Sequence, residues 1–259
     1  MVLKQHFFLG ATAASLISAV EISPFAVRNE GVSIGELKNV SGIQIYHSYP
    51  PGRASYDKAV LFVTDIFGVP LPENQLLADS IAANDFLVIM PDLFNGDAVS
   101  VDEQEAGLNL TEWLTRHRPQ EIDQILNSTI TYMHNELKAK KIGGVGYCFG
   151  GKYIPHFLTE LGGVDAGFIA HPSALTQMEI EAVTKPLSIA AGTLDEAFNL
   201  TAKSLAERTL LSNNVTFQSN LYSWAPHGFA VRANQSVPQQ AYAKQASFLQ
   251  AISWLDEWL

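Results

Sequence analysis

The sequence predicts an α/β fold in which a mostly parallel central sheet has helices on both faces. Short apolar runs alternate along the chain with longer segments of helical periodicity. Runs that are apolar throughout, such as AVLFVTD (59–65) and FLVIMPD (86–92), are typical of parallel strands buried on both faces. The 259 residues with 47% apolar content can form one sizeable core. Because no Gly/Pro/Ser-rich linker interrupts the pattern, we assign residues 20–259 to a single domain.

The remaining elements follow from the same alternation. Residues 20–40 are expected to be irregular. Further strands are predicted over 142–148, 166–172, 186–192 and 215–224, and His47 is expected to fall within an early strand. Helices are predicted over 73–85, 101–117, 119–138, 150–161, 196–212 and 238–257. Ligands of such sheets bind beyond the carboxyl ends of the strands, so functional residues are expected directly after the strands.

The N-terminal segment MVLKQHFFLGATAASLISAVEIS predicts a secretory signal peptide over residues 1–19. Lys4 supplies the positive start, and the apolar stretch after it is short for a bilayer span and ends in small residues. A buried N-terminal helix is the alternative interpretation. N-glycosylation triplets support secretion, so we expect a secreted, extracellular glycoprotein with no membrane span in the mature chain. The triplets begin at Asn39, Asn109, Asn127, Asn199, Asn214 and Asn234.

Charge and cysteine content narrow the possible functions. The formal net charge of -10 argues against binding to nucleic-acid phosphates. The chain has one cysteine, Cys148, and therefore no internal disulfide. An unpaired thiol in a secreted protein is unusual, and its presence calls for a reason.

Cys148 stands in the frame Gly146-Tyr147-Cys148-Phe149-Gly150, where a predicted strand ends and a helix begins. This is the nucleophile-elbow pattern with Cys in place of Ser. Small residues two positions to either side let strand and helix approach, and the Phe149 amide then faces the position of an oxyanion. The start of the helix favours a thiolate. A buried packing cysteine is the alternative, because Cys is among the most buried residue types.

A nucleophile of this kind needs a base and a group that orients the base. Asp195 follows the strand 186–192, and His227 follows the strand 215–224. Both fall on the same edge as Cys148, in the order nucleophile, acid, histidine. Asp195 as a simple helix N-cap and His227 as an ordinary loop histidine are the alternatives. His171, which ends the strand 166–172, is a candidate pocket residue.

No group of residues has the spacing of a metal site, and no glycine pattern suits a nucleotide. We therefore expect neither a metal nor a cofactor.

The sequence resembles the dienelactone hydrolase family, which has the α/β-hydrolase fold. The resemblance implies the triad Cys148, Asp195 and His227, and an oxyanion hole formed by the backbone amides of Ile66 and Phe149. It also implies that an acidic residue, here Asp65, contacts the resting thiol. The matching segments are TDIFGV (64–69), MPDLF (90–94), GYCFGG (146–151), GTLDEAF (192–198) and HGFAVR (227–232).

The sequence departs from dienelactone hydrolase in two places. The family enzyme has Glu where this chain has Asp65, and Asp is shorter by one methylene group. One of the family's carboxylate-binding arginines is replaced by Gly96 or its neighbours, while Arg232 lies near the place of the other. The missing arginine, together with the net charge of -10, argues against dienelactone as the natural substrate.

Aromatic residues near the strand ends suggest an apolar pocket. The expected pocket residues are Asp65, Phe94, His171, Phe198, Trp224, Phe229 and Arg232. We predict a hydrolase that cleaves a small-molecule ester or lactone through a cysteinyl acyl-enzyme. The alternatives are the same triad acting on a glycan or peptide bond or in acyl transfer, and a catalytically retired secreted binding protein. The sequence does not determine the oligomeric state.

Overall fold

The structure, a computed structural model, describes residues 23–52 and 56–259. The predicted signal peptide lies outside these residues. The strands are β1 Glu36–Val40, β2 Ile43–Ser48, β3 Lys58–Val63, β4 Leu87–Pro91, β5 Lys141–Tyr147, β6 Ala166–Ala170, β7 Leu187–Leu194 and β8 Phe217–Pro226. The helices are α1 Pro72–Ala82, α2 Val101–Glu105, α3 Leu110–Arg116, α4 Pro119–Asn135, α5 Phe149–Phe157, α6 Gln177–Glu181, α7 Leu200–Ser212, α8 Phe229–Arg232 and α9 Pro238–Trp258.

The strands form one eight-stranded sheet in the order β1-β2-β4-β3-β5-β6-β7-β8. In this order, β4, β3, β5, β6, β7 and β8 each pair in parallel with their neighbours. The β1–β2 hairpin forms one edge of the sheet, where β2 pairs antiparallel with β4. Strands β3, β4 and β6 are almost wholly buried, as their continuous apolar sequences predict. The α/β fold class is confirmed.

Helices cover both faces of the sheet. A Cβ atom added at Gly143 in β5 would meet Leu255 in α9, whereas one added at Gly144 would meet Ile154 in α5. Because successive strand residues point to opposite faces, α5 and α9 pack on opposite sides of the sheet.

Four segments differ from the sequence prediction. Strand β1 falls in the stretch expected to be irregular, and the short helices α6 and α8 were not predicted. The predicted helix 101–117 is two helices, α2 and α3, because Gly107 has a φ of +84° and Asn109 caps α3 by accepting from the Glu112 amide. A left-handed glycine ends a helix, and Asn at the N-cap begins the next one.

Candidate active site

Cys148 occupies a sharp turn between β5 and α5, with a φ of 52° and a ψ of -111°. A side-chain-bearing residue rarely adopts this conformation, and such strain concentrates at functional sites. A Cβ atom at Gly146 would lie 2.5 Å from the Gly150 carbonyl oxygen, and one at Gly150 would lie 2.5 Å from the Val63 carbonyl carbon. Glycine is therefore required on both sides of the turn.

Cys148, His227 and Asp195 lie together at the carboxyl ends of β5, β8 and β7. His227 Nε2 is 3.0 Å from Cys148 Sγ, and His227 Nδ1 is 3.0 Å from Asp195 Oδ1. The Asp195 and His227 side chains have exposed fractions of 0% and 29%. The order and placement expected from the sequence therefore bring these three groups into contact.

Hydrogen bonds shift the pKa values of both Asp195 and His227. Asp195 Oδ1 also accepts from the amides of Ala197 at 2.9 Å and Phe198 at 3.0 Å. Burial alone would raise the pKa of Asp195, but the hydrogen bonds from His227 and Phe198 lower it. Burial likewise acts to lower the pKa of His227, yet its contacts with Asp195 and Cys148 outweigh burial and raise that pKa to about 10. The raised pKa favours the protonated form of the imidazole.

A fourth side chain, that of Ser173, enters this group. Its Oγ lies 3.3 Å from Cys148 Sγ and 3.3 Å from His227 Nε2. The sequence analysis did not identify Ser173. The sequence feature that could have identified it is its position three residues after β6, at the same edge of the sheet.

The two amides expected to form an oxyanion hole lie in different loops. Ile66 follows β3, and Phe149 is the first residue of α5, directly after the cysteine. Within residues 23–52 and 56–259, neither amide donates a hydrogen bond to another protein group. Both remain available to a developing oxyanion.

Asp65 is buried and is bound away from the thiol. Its Oδ1 accepts from the Phe67 amide at 3.1 Å and from Asn74 Nδ2 at 2.9 Å. Its Oδ2 lies 3.5 Å from Arg232 Nε. In the described part of the chain Asp65 has no hydrogen bond to Cys148; Ser173 and His227 contact the sulphur instead. Burial raises the pKa of Asp65, while the charge of Arg232 acts in the opposite direction.

His171 lies beneath the His227 ring. Its side chain is 0% exposed, and its ring centroid is 5.2 Å from that of His227 and 5.3 Å from that of Phe229. Burial, together with the charge of His227, holds the pKa of His171 well below its ordinary value. His171 is therefore a neutral support for the His227 ring.

The other expected pocket residues lie at different depths. Phe94 is buried, and its ring centroid is 5.3 Å from that of Phe149. Phe198 and Phe229 are also buried, whereas Trp224 is 60% exposed. Arg232 lies over the Phe67 ring, with its guanidinium carbon 4.3 Å from the ring centroid.

Three further expectations concern a metal site, a membrane span and the glycosylation triplets. Residues 23–52 and 56–259 contain no cluster of His, Cys, Asp and Glu suited to a metal ion. No helix among them is long and apolar enough to cross a membrane. The triplet asparagines are all exposed: Asn39, Asn109, Asn127, Asn199, Asn214 and Asn234.

Comparison with known proteins agrees with this architecture. The model of the dienelactone hydrolase family matches residues 43–259. The chain is 40% identical over 231 residues to hydrolase pyvD of Aspergillus violaceofuscus, covering 89% of this chain and 93% of that protein. It is 36% identical over 240 residues to hydrolase tropI of Talaromyces stipitatus, covering 90% and 93%.

Solved structures share the fold at low sequence identity. Dienelactone hydrolase from Anabaena variabilis has a TM-score of 0.64 at 17% identity, covering 87% of this chain and 99% of that one. A dienelactone hydrolase-like promiscuous phosphotriesterase from metagenomic libraries has a TM-score of 0.68 at 14% identity, covering 88% and 99%.

A largely parallel sheet with a strained turn after its central strand defines a protein of the α/β-hydrolase fold. The family match covers most of the chain, and the relatives are hydrolases. The chain therefore belongs to the dienelactone hydrolase family, and it is a hydrolase of that type. The resemblance stated from the sequence is confirmed.

Proposed function

We propose that this hydrolase cleaves a small ester or lactone through a triad of Cys148, His227 and Asp195. One observation carries the proposal: the Cys148 sulphur is 3.0 Å from His227 Nε2, while Asp195 holds the opposite ring nitrogen at 3.0 Å. A nucleophile, a base and an orienting carboxylate in hydrogen-bond reach are what acyl transfer requires.

In the acylation step, the Cys148 thiolate attacks the carbonyl carbon and forms a C–S bond. The Ile66 and Phe149 amides donate to the resulting oxyanion. The C–O bond to the leaving group then breaks, and His227 Nε2 gives its proton to the departing oxygen. The product is a thioester on Cys148 beside a neutral imidazole.

Water completes the cycle. His227 Nε2 accepts a proton from the attacking water, whose oxygen bonds to the thioester carbonyl carbon. The C–S bond breaks, the acid product leaves, and the thiolate–imidazolium pair is restored. Asp195 stays ionised throughout, because His227 and backbone amides donate to it.

The charge around the site favours an uncharged substrate. Arg232 is the cationic residue that the sequence places near the expected carboxylate-binding position, and its guanidinium already lies 3.5 Å from Asp65 and over the Phe67 ring. The chain as a whole carries a net charge of -10. Both features disfavour a substrate that bears its own carboxylate.

The Cys148→Ala variant tests the mechanism. Aryl esters and neutral lactones are incubated with wild-type protein and quenched, and the intact mass is measured. We expect an acyl adduct on Cys148 in the wild type. In the variant we expect no adduct and a loss of turnover of roughly 10⁴-fold or more. His134→Ala is the control, since His134 contacts the Ala139 carbonyl in another part of the fold. Unchanged hydrolysis by Cys148→Ala would refute the mechanism.

We also propose that the protein is a secreted glycoprotein. The leader-like residues 1–19 support this, as does the exposure of every triplet asparagine. N-terminal sequencing of protein from the culture medium, and its mass before and after enzymatic deglycosylation, test the proposal. A medium without the protein, or an unchanged mass, contradicts it.

A further inference from the structure

The hydroxyl of Ser173 forms a triangle with the two reacting atoms of the proposed triad. Oγ is 3.3 Å from Cys148 Sγ and 3.3 Å from His227 Nε2, and those two atoms are 3.0 Å apart. A serine hydroxyl has one proton to donate and two lone pairs. The direction of its proton therefore depends on which neighbour carries negative charge.

The backbone around Ser173 is held in place from several sides. The Ser173 amide donates to the Cys148 carbonyl at 2.9 Å, and the His171 amide donates to the Ala190 carbonyl at 2.9 Å. His171 and Ala174 have positive φ values of 39° and 51°, so strained residues lie on both sides of Ser173. Strain that persists in this way is imposed by the surroundings, and it fixes the backbone that carries the hydroxyl.

Proton counting assigns the donor. In the resting state of the proposed mechanism His227 is an imidazolium, so Nδ1–H donates to Asp195 at 3.0 Å and Nε2–H donates towards the sulphur at 3.0 Å. An imidazolium nitrogen cannot accept a proton from serine. The thiolate is then the acceptor left for the Ser173 O–H.

We propose that Ser173 is a catalytic residue that donates its hydroxyl proton to the Cys148 thiolate and stabilises the thiolate–imidazolium pair. This inference rests on the proposed function of the triad. Asp65, implied by the family resemblance as the group that contacts the thiol, is instead bound to Asn74 and Arg232. Ser173 therefore takes the place next to the sulphur.

Among residues 23–52 and 56–259, few ionisable groups lie around the pair of Cys148 and His227. Asp195 contacts His227, and the neutral His171 ring lies beside it. Asp65 and Arg232 form their own pair. A change in the pH profile after substitution of Ser173 is thus traced to the loss of one hydrogen bond to the sulphur.

The test measures alkylation of Cys148 by iodoacetamide against pH, without substrate. A hydrogen bond to a charged acceptor changes the equilibrium constant for ionisation of the thiol by about a factor of ten. The midpoint of the alkylation rate against pH should therefore rise by about one pH unit in Ser173→Ala. A less stabilised thiolate is more nucleophilic, so the plateau rate should rise about threefold. Ser173→Thr, which keeps the hydroxyl, should restore the midpoint. Ser173→Gly provides the same readout should the alanine variant not fold.

Thr176→Ala is the matched control. Thr176 caps α6 by accepting from the Glu179 amide at 3.3 Å, so its loss loosens the segment after Ser173 without removing a hydroxyl from the sulphur. We expect its alkylation profile to stay at the wild-type position. An unchanged midpoint in Ser173→Ala, or an equal shift in Thr176→Ala, overturns the role of Ser173. Retained hydrolysis in Cys148→Ala would instead overturn the triad, so the two failures are distinguishable.

Discussion

Replacing Gly150 with alanine is expected to destabilise the fold and abolish hydrolysis together. Gly150 lies two residues after Cys148, where α5 crosses closely over the end of β3. A Cβ atom at this position would lie 2.5 Å from the Val63 carbonyl carbon and 2.7 Å from the Thr64 carbonyl oxygen. Carbon atoms pack favourably at about 3.5–4.0 Å, so backbone must move.

The size of the effect follows from two losses. Overpacking in a core costs about 1–3 kcal/mol. The Gly150 amide donates to the Thr64 carbonyl at 2.9 Å, and displacing α5 from β3 weakens that bond as well. A buried carbonyl left without its partner costs a further 1–3 kcal/mol or so. We expect a total loss of about 4 kcal/mol, a large share of the roughly 5–15 kcal/mol typical of a domain.

Urea unfolding measures this loss, with Gly107→Ala as the control. Gly107 has a φ of +84°, but a Cβ atom there would meet nothing within 4 Å. Alanine at Gly107 should therefore cost only about 1 kcal/mol, the price of a left-handed residue. Gly107→Ala should keep its activity, whereas folded Gly150→Ala should not, because Cys148 moves with the turn. A loss of stability in Gly150→Ala no larger than that in Gly107→Ala would refute the reasoning.

Two further predictions follow from buried charges. Asp195→Asn removes the charge that raises the pKa of His227, so kcat for an aryl ester should fall by roughly 10³–10⁴-fold; near-normal initial rates would contradict this role. Burial lowers the pKa of Lys244 from 10.5 to about 8. The charged form of Lys244 therefore destabilises the fold below pH 8, and this destabilisation disappears as the pH rises from 8 to 10.5. Lys244→Met should therefore raise the free energy of unfolding, measured by urea titration, by about 3 kcal/mol at pH 7 and by little at pH 10.5. Equal gains at both pH values would disprove that the buried charge of Lys244 destabilises the fold.

The sequence predicted most of the sheet because its central strands are buried on both faces and read as continuous apolar runs. Strand β1 carries no such signal: its sequence ELKNV is mostly exposed and depends on pairing with β2. The helices α6 and α8 have five and four residues, which is too short for a helical period to appear. Strand β1 depends on pairing with β2, whereas α6 begins at a local capping box formed by Thr176 and Glu179.

The positions of Cys148, Asp195 and His227 could be predicted because each directly follows a strand, and parallel strands end at one edge. The contact of Ser173 with the sulphur could not. It depends on how the chain turns after β6, with positive φ at His171 and Ala174. Neither His nor Ala signals such a conformation in a sequence, whereas glycine does. Likewise, the pairing of Asp65 with Arg232 joins residues far apart in the chain.

Several residues with a strained backbone lie at this same edge of the sheet. Cys148 after β5, His171 after β6 and Trp224 within β8 have positive φ values of 52°, 39° and 60°. Each costs about 1–3 kcal/mol and persists only where the surroundings enforce it. For Cys148 and His171 the buried strands β5 and β6 directly before them supply that enforcement. The backbone positions of Cys148 and Ser173 are therefore held by the strands that precede them. It follows that core substitutions beneath the edge should impair activity before they unfold the protein, since the strained turns relax first.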